Sequence, residues 1–110
     1  MDPINLAAAL AAAPRNGLAA IATVNDTVIK AGRFEGRFAW HRHAAEDELF
    51  WVIRGRLTIQ LRDRDVALAA GEMFVVPAGV EHRSVATAKS EVVVIHPRST
   101  VLPGTASPVA

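Results

Sequence analysis

From Leu18 onward the apolar residues come in short runs, and where a run is long enough to show a period, that period is two. Leu57, Ile59 and Leu61 alternate with Thr58, Gln60 and Arg62, the pattern of a half-buried strand. Similar runs at residues 18–24, 27–31, 66–68, 73–76, 82–86 and 91–96 are separated by turn-formers. Asn25-Asp26 reads as a hairpin turn, Arg54-Gly55-Arg56 as a second turn, and the mixed-charge run 62–65 as a solvated third. Strands this short and this evenly spaced predict an all-β barrel or sandwich.

Two longer stretches carry more information. Residues 33–43 place Phe34, Phe38 and Trp40 on one parity and Arg37, Ala39, His41 and His43 on the other, which predicts a strand with an apolar face and a polar one. Small Ala39 would leave room on the polar face. Further on, Glu48, Phe50 and Val52 share a parity while Leu49, Trp51 and Ile53 occupy the reverse. Both faces are apolar enough to be buried. The reverse face therefore needs cover, either from a second sheet or from a second copy of the chain, and a homodimer is the expectation.

The N-terminus departs from the period of two. Asp2 reads as an N-cap, Pro3 as the first helical residue, and residues 4–13 as an Ala-rich helix of about three turns that stops at Pro14. So short a helix is marginal alone and must be held by packing on the barrel. The expected layout is residues 1–14 helix, 15–97 barrel and 98–110 a turn-rich tail, mobile or draped over a surface.

Composition narrows the function. At 110 residues there is room for one domain, and 51% hydrophobic with 21% charged residues marks a chain that folds. A formal charge of +1 with dispersed arginines offers no concentrated field, which argues against nucleic acid or an acidic membrane surface and for a small-molecule partner. The apolar run 7–13 follows Asp2 instead of Lys or Arg and is too short to span a bilayer, so it is not read as a signal or an anchor. No cysteine is present, which removes thiolate chemistry and disulfides and fits a reducing cytoplasm.

The candidate chemistry lies in WHRHAAEDELFWVIRG, Trp40 through Gly55. On one strand His41 and His43 would project from the same face about 6 to 7 Å apart, close enough to grip one ion. Glu48 has the opposite parity, but a turn over residues 44–47 resets the phase. A third imidazole is sought at His82, in GEMFVVPAGVEH, where Pro77 ends a strand and Gly79 permits a tight turn before the next one. Three neutral imidazoles and a carboxylate suit Fe, Mn, Co, Ni or Zn as divalent ions and leave coordination positions open. The alternative is a buried hydrogen-bonded polar cluster, whose desolvation a cation would offset better. A metal held there is expected to leave as pH falls below about 6.

These two stretches make the chain resemble a small single-domain cupin, an antiparallel jelly-roll β-barrel. His41, His43, Glu48 and Gly55 fall on the first cupin motif, and Gly71, Pro77, Gly79 and His82 on the second. The leading glycine, Gly36, sits one residue nearer His41 than the pattern asks, which suggests a bulge. The second motif's final Asn is Ala86 here. The resemblance implies that His41, His43, Glu48 and His82 ligate a divalent metal. It leaves open a metal-dependent enzyme, dioxygenase-like or isomerase-like on a small oxygen-rich substrate, or a non-catalytic binding or sensing module with the ion as anchor.

Three further residues are weighed. Arg37, on the His41 parity, could bind a substrate carboxylate or phosphate, or reach to the barrel rim. Phe50, on the Glu48 parity, is a core residue that could also touch a substrate. His96, before Pro97, reads as a surface residue, with the alternative that it faces the barrel and supports the ligands or moves a proton. Glu46 and Asp47 read as turn-formers.

Overall fold

The computed structural model describes residues 1–102, so the rest of the expected tail, 103–110, lies outside the described residues. The elements are α1 (Leu6–Ala12), β1 (Leu18–Val24), β2 (Thr27–Arg37), β3 (Glu48–Arg54), β4 (Arg56–Leu61), β5 (Asp65–Ala69), β6 (Met73–Val76) and β7 (His82–Pro97). Every strand pairing is antiparallel. No helix among the described residues is long and apolar enough to cross a membrane.

β7 is shared by both halves of the barrel. Its C-terminal half pairs with β2 from Phe34↔Ser90 to Thr27↔Pro97, and with β3 through Leu49↔Ile95. Its N-terminal half pairs with the end of β2 at Arg37↔Val85 and with β4 at Ile59↔Ser84. The strand order β1-β2-β7-β3-β6, with β4 joining β7 to β5, wraps a jelly-roll barrel around one core. Val52, Ile59, Val92 and Val94 in that core are fully buried, each contributing roughly 1.5–3 kcal/mol over an exposed position.

Three boundaries differ from the sequence reading. The run 27–31 and the start of 33–43 form one strand, which ends at Arg37. Runs 82–86 and 91–96 likewise form one strand. Its inward residues His82, Ser84, Ala86, Ser90, Val92 and Val94 are all even-numbered, so no phase change breaks it. The register does shift between Phe34 and Gly36, where Phe34 meets Ser90 and Gly36 meets Ala86, so an irregularity does lie at Gly36. The helix is shorter than expected because Asn5, not Asp2, caps it: the Asn5 side chain accepts the Ala8 N–H at 2.9 Å.

The helix covers part of the outer face. Leu10 and Ala13 bury Ala31, with Leu6, Ile21 and Ile53 around them. The remainder of that face carries Leu49, Trp51 and Ile95 half-buried and Met73 and Val75 exposed at 54% and 46%. The cover expected over Leu49 and Trp51 is thus incomplete among the described residues.

At the β3–β4 turn, Gly55 has φ +84°, and a Cβ there would stand 2.5 Å from Ser90 Oγ. Buried Ser90 Oγ accepts the Arg56 N–H at 3.1 Å and binds the Arg56 carbonyl at 2.7 Å, which locks this turn to β7.

Candidate metal centre

The chain leaves the β2 ladder after Arg37. Phe38 N–H still donates to the Ser84 carbonyl at 2.9 Å, residues 38–40 are irregular, and His41 then rejoins β7 through an isolated antiparallel bridge to His82. His41 and His43 therefore do not lie on one strand as the alternation predicted. The irregular step also inverts the expected faces. Phe34 and Phe38 turn inward toward Glu48, while Ala39 is exposed.

The second motif is fastened to the first by its turn. Gly79, at φ +82°, donates its N–H to the His43 carbonyl at 2.7 Å, and Ala78 N–H donates to Asp47 Oδ1 at 2.8 Å. Glu48 follows at the first position of β3, paired with Val76. Asp47 is thus a turn residue with a specific partner.

The result is a cluster of His41, His43, Glu48 and His82 with one ligand atom from each lying within 4.8 Å of the others. Glu48 Oε1 is 3.1 Å from His82 Nε2, 3.3 Å from His43 Nε2 and 4.0 Å from His41 Nε2. Glu48, His82 and His43 are buried, and His41 is half-buried.

The hydrogen bonds behind the rings decide what the cluster can hold. His41 Nδ1 lies 2.8 Å from the Ala39 carbonyl and His82 Nδ1 2.9 Å from the Val80 carbonyl. A carbonyl only accepts, so each Nδ1 carries hydrogen, and a neutral ring then turns a bare Nε2 lone pair toward Glu48. His43 Nε2 is buried without a hydrogen-bond partner. Lone pairs and a carboxylate oxygen facing one another are an arrangement that a cation between them would satisfy. The residues present fit a metal ion.

The protonation tendencies agree. Burial holds the His41 pKa below its usual 6.5, helped by the neighbouring His82 and His43 and opposed by the Ala39 hydrogen bond and Glu48. For Glu48, burial pushes the pKa up, but with no metal present a hydrogen bond from the His82 ring and the attraction of the imidazoles in their charged form outweigh it, and the carboxyl sits below its usual 4.5. Both groups favour the deprotonated form that a metal requires.

A cavity of about 140 Å³ reaches Glu48. Phe34, Phe38, Phe50 and Leu18 supply its apolar wall, and Ser84 and Asn16 its polar atoms. Phe50 also meets His82 edge-on, ring centroids 6.0 Å apart. Arg37 stands opposite Val85, one step out of phase with the inward Gly36↔Ala86 pair, and does not line the cavity.

His96 is not on the surface: it is 2% exposed. It pairs with Val28 of β2, and its neighbour Ile95 pairs with Leu49 of β3. Its even parity with Val92 and Val94 was the signal that could have placed it inside. Ser84 and Asn16 carried no such signal, because nothing local marks a residue as lining a cavity formed by remote strands.

Residues 27–97 match the family model of the cupin domain. The chain belongs to the cupin family. A cupin-2 domain containing protein from Shewanella frigidimarina NCIMB 400, known from its crystal structure, is 40% identical and superposes with a TM-score of 0.83 over 86% of this chain and 94% of that one. The crystal structure of protein NMB1881 from Neisseria meningitidis gives 26% identity and a TM-score of 0.78 over 87% and 99% of the two chains. Uncharacterized protein YdbB of Bacillus subtilis (strain 168) is 38% identical over 65 residues, which is 58% of this cupin and 58% of that protein. The barrel and the donor cluster are thus those of a cupin that could bind a metal.

Proposed function

We propose that this cupin holds one divalent transition metal, Fe, Mn, Co, Ni or Zn, through His41, His43, Glu48 and His82, and uses it to seat an oxygen atom of a small ligand in the adjacent cavity. The observation that carries the reading is the set of Nε2 atoms directed at Glu48 Oε1, with Nδ1 of His41 and His82 engaged by backbone carbonyls. Once bound, the metal supplies Lewis-acid polarisation of a coordinated oxygen, or redox chemistry if it is iron. The chain's own residues hold and shield the ligand: Phe50 closes the wall beside His82, and Ser84 offers a hydroxyl. Buried His96 supports Glu48 from the neighbouring strand in this reading.

Among enzymatic activities the cavity favours a dioxygenase-like reaction over an isomerase-like one. Apart from Glu48 no titratable side chain among the described residues lines it, so its described walls hold no acid and base pair for moving protons along a sugar. The same observation supports the second reading, a non-catalytic binding or sensing module in which the ion is an anchor. A second copy of the chain covering Met73 and Val75 completes the proposal, as a homodimer.

Elemental analysis of tag-free protein tests the metal: about one equivalent is expected, and none in Glu48→Ala. Metal-free protein that cannot be loaded with any of the five ions would end the proposal. Oxygen uptake by the iron-loaded protein with small oxygen-rich compounds then separates the enzyme from the binding module.

A further inference from the structure

We infer that the ligand of this site carries a compact apolar group about the size of a benzene ring and no charged tail, its oxygen-bearing end directed at Glu48. The inference rests on the metal reading above and adds the chemical class of what is bound.

Volume sets the size. The cavity measures about 140 Å³. A dry protein cavity of about 150 Å³ lined by Leu, Ile and Phe accepts benzene, whereas sites for larger organic ligands begin at about 300 Å³. One ring fills it.

The walls set the chemistry. Phe34 and Phe38 stand with ring centroids 4.7 Å apart at 44°, and Leu18, Phe50 and Leu102 complete the apolar wall. Its polar groups are few. Asn16 Oδ1 is already used by the Glu35 N–H at 2.7 Å, which leaves the Asn16 amide N–H donors, Ser84 and the Glu48 carboxylate on the metal side. No lysine or arginine among the described residues lines the cavity. Lys30, in phase with Val94 on the inner face, is outside it, and Arg37 is turned toward the outer face with Val85. A phosphate or second carboxylate entering here would lose water and gain no cation, an uncompensated cost, while an apolar ring gains by leaving water. Sugar phosphates and dicarboxylates are therefore disfavoured.

The wall and the donor cluster share a border at Phe50, whose ring edge meets His82. A ligand made of one ring and an adjoining pair of oxygens spans both regions without a linker.

The test uses three hydroxamates with one chelating head and different tails, titrated into full-length Co(II)-loaded protein and followed by the visible bands of the ion. Benzohydroxamate is expected to bind at least about tenfold more tightly than acetohydroxamate, the scale on which an apolar pocket discriminates. Phosphoglycolohydroxamate is expected to bind no better than acetohydroxamate. Ser84→Leu, which fills the cavity, should erase the phenyl advantage while the bands of the ligand-free variant show the ion still held. Equal affinities in the unaltered protein, or a preference for the phosphate tail, would overturn the inference and leave the metal reading intact. Failure to develop Co(II) bands at all would overturn the metal reading instead.

Discussion

His41 and His82, forty-one positions apart in sequence, exchange backbone hydrogen bonds in both directions, N–H to carbonyl at 2.9 Å each way. Paired residues of an antiparallel bridge send their side chains to the same face, so one local contact aims two imidazoles at one point, with ring centroids 4.2 Å apart. The donor cluster is assembled by backbone pairing first and by side-chain chemistry second.

Removing an imidazole from this pair should abolish metal binding without unfolding the barrel. His82→Ala is expected to weaken affinity by more than about 100-fold, beyond what changes behind the ligands usually cause. Isothermal titration with Zn(II), beside a circular dichroism spectrum showing an intact β-barrel, checks it. Retained tight binding would mean that His82 is no ligand.

Acid should act on this site in one direction. The His41 pKa in the fold lies below its usual 6.5, so the unfolded chain takes up that proton first on acidification. Its contribution to stability is present above pH 6.5 and is lost as pH falls through the lowered value. Glu48 behaves alike, contributing above pH 4.5 and losing that contribution as pH falls through its own lowered value. Protons also compete with the metal, whose release should begin as pH drops below about 6. Denaturation of the metal-free protein and metal retention on dialysis, both from pH 8 to 4, should fall together. A full metal complement at pH 4.5 would contradict this account.

Asp47 should matter although it touches no ligand atom. Its carboxylate accepts the Ala78 N–H at 2.8 Å and helps hold the turn that precedes His82. Asp47→Ala is expected to cost about 1 kcal/mol. For a domain of this size that is a fall in Tm of roughly 4–8 °C. Asp47→Asn, which keeps an accepting oxygen, should recover most of the loss in a thermal melt.

The outer sheet face predicts association. Met73 and Val75 are exposed beside half-buried Leu49, Trp51 and Ile95. Sedimentation velocity is expected to give a dimer, and Val75→Asp, which sets a charge on the exposed edge strand of that face, a monomer with its metal site intact. A monomeric parent protein would remove the proposed homodimer.

Gly55→Ala should be among the most damaging single-methyl changes. It combines a positive φ with a Cβ 2.5 Å from Ser90 Oγ and 3.0 Å from the Ser90 backbone, so a loss of at least about 2 kcal/mol is expected in urea denaturation. A loss below half that figure would show that the β3–β4 turn can adjust.

Much of this was legible along the chain. Alternation predicted Leu18–Val24 and Met73–Val76 as the strands observed, and the inward set Glu48, Phe50 and Val52, because the period of two is a local property of a pleated strand. The four residues that cluster, His41, His43, Glu48 and His82, were legible from their motif spacing. The faces of residues 37–43 were not. Parity counts only while a strand continues, and this one ends at Arg37, so Ala39 came out exposed and Arg37 on the outer face. His96 was misread as a surface residue because its position before Pro97 resembles a strand end, although its parity pointed inward.

By itself, the sequence determined the strand periods, the turns at Asn25-Asp26 and Gly55, and the identity of the donor side chains, since each depends on neighbours within a few residues. Only the tertiary structure decided that Glu48 Oε1 would meet three Nε2 atoms, that Leu18, Phe34 and Phe38 would wall a cavity beside it, and that His96 would be buried. Those relationships are set by strand register across β2, β7 and β3, which join residues dozens of positions apart, and no local pattern encodes the distance between them.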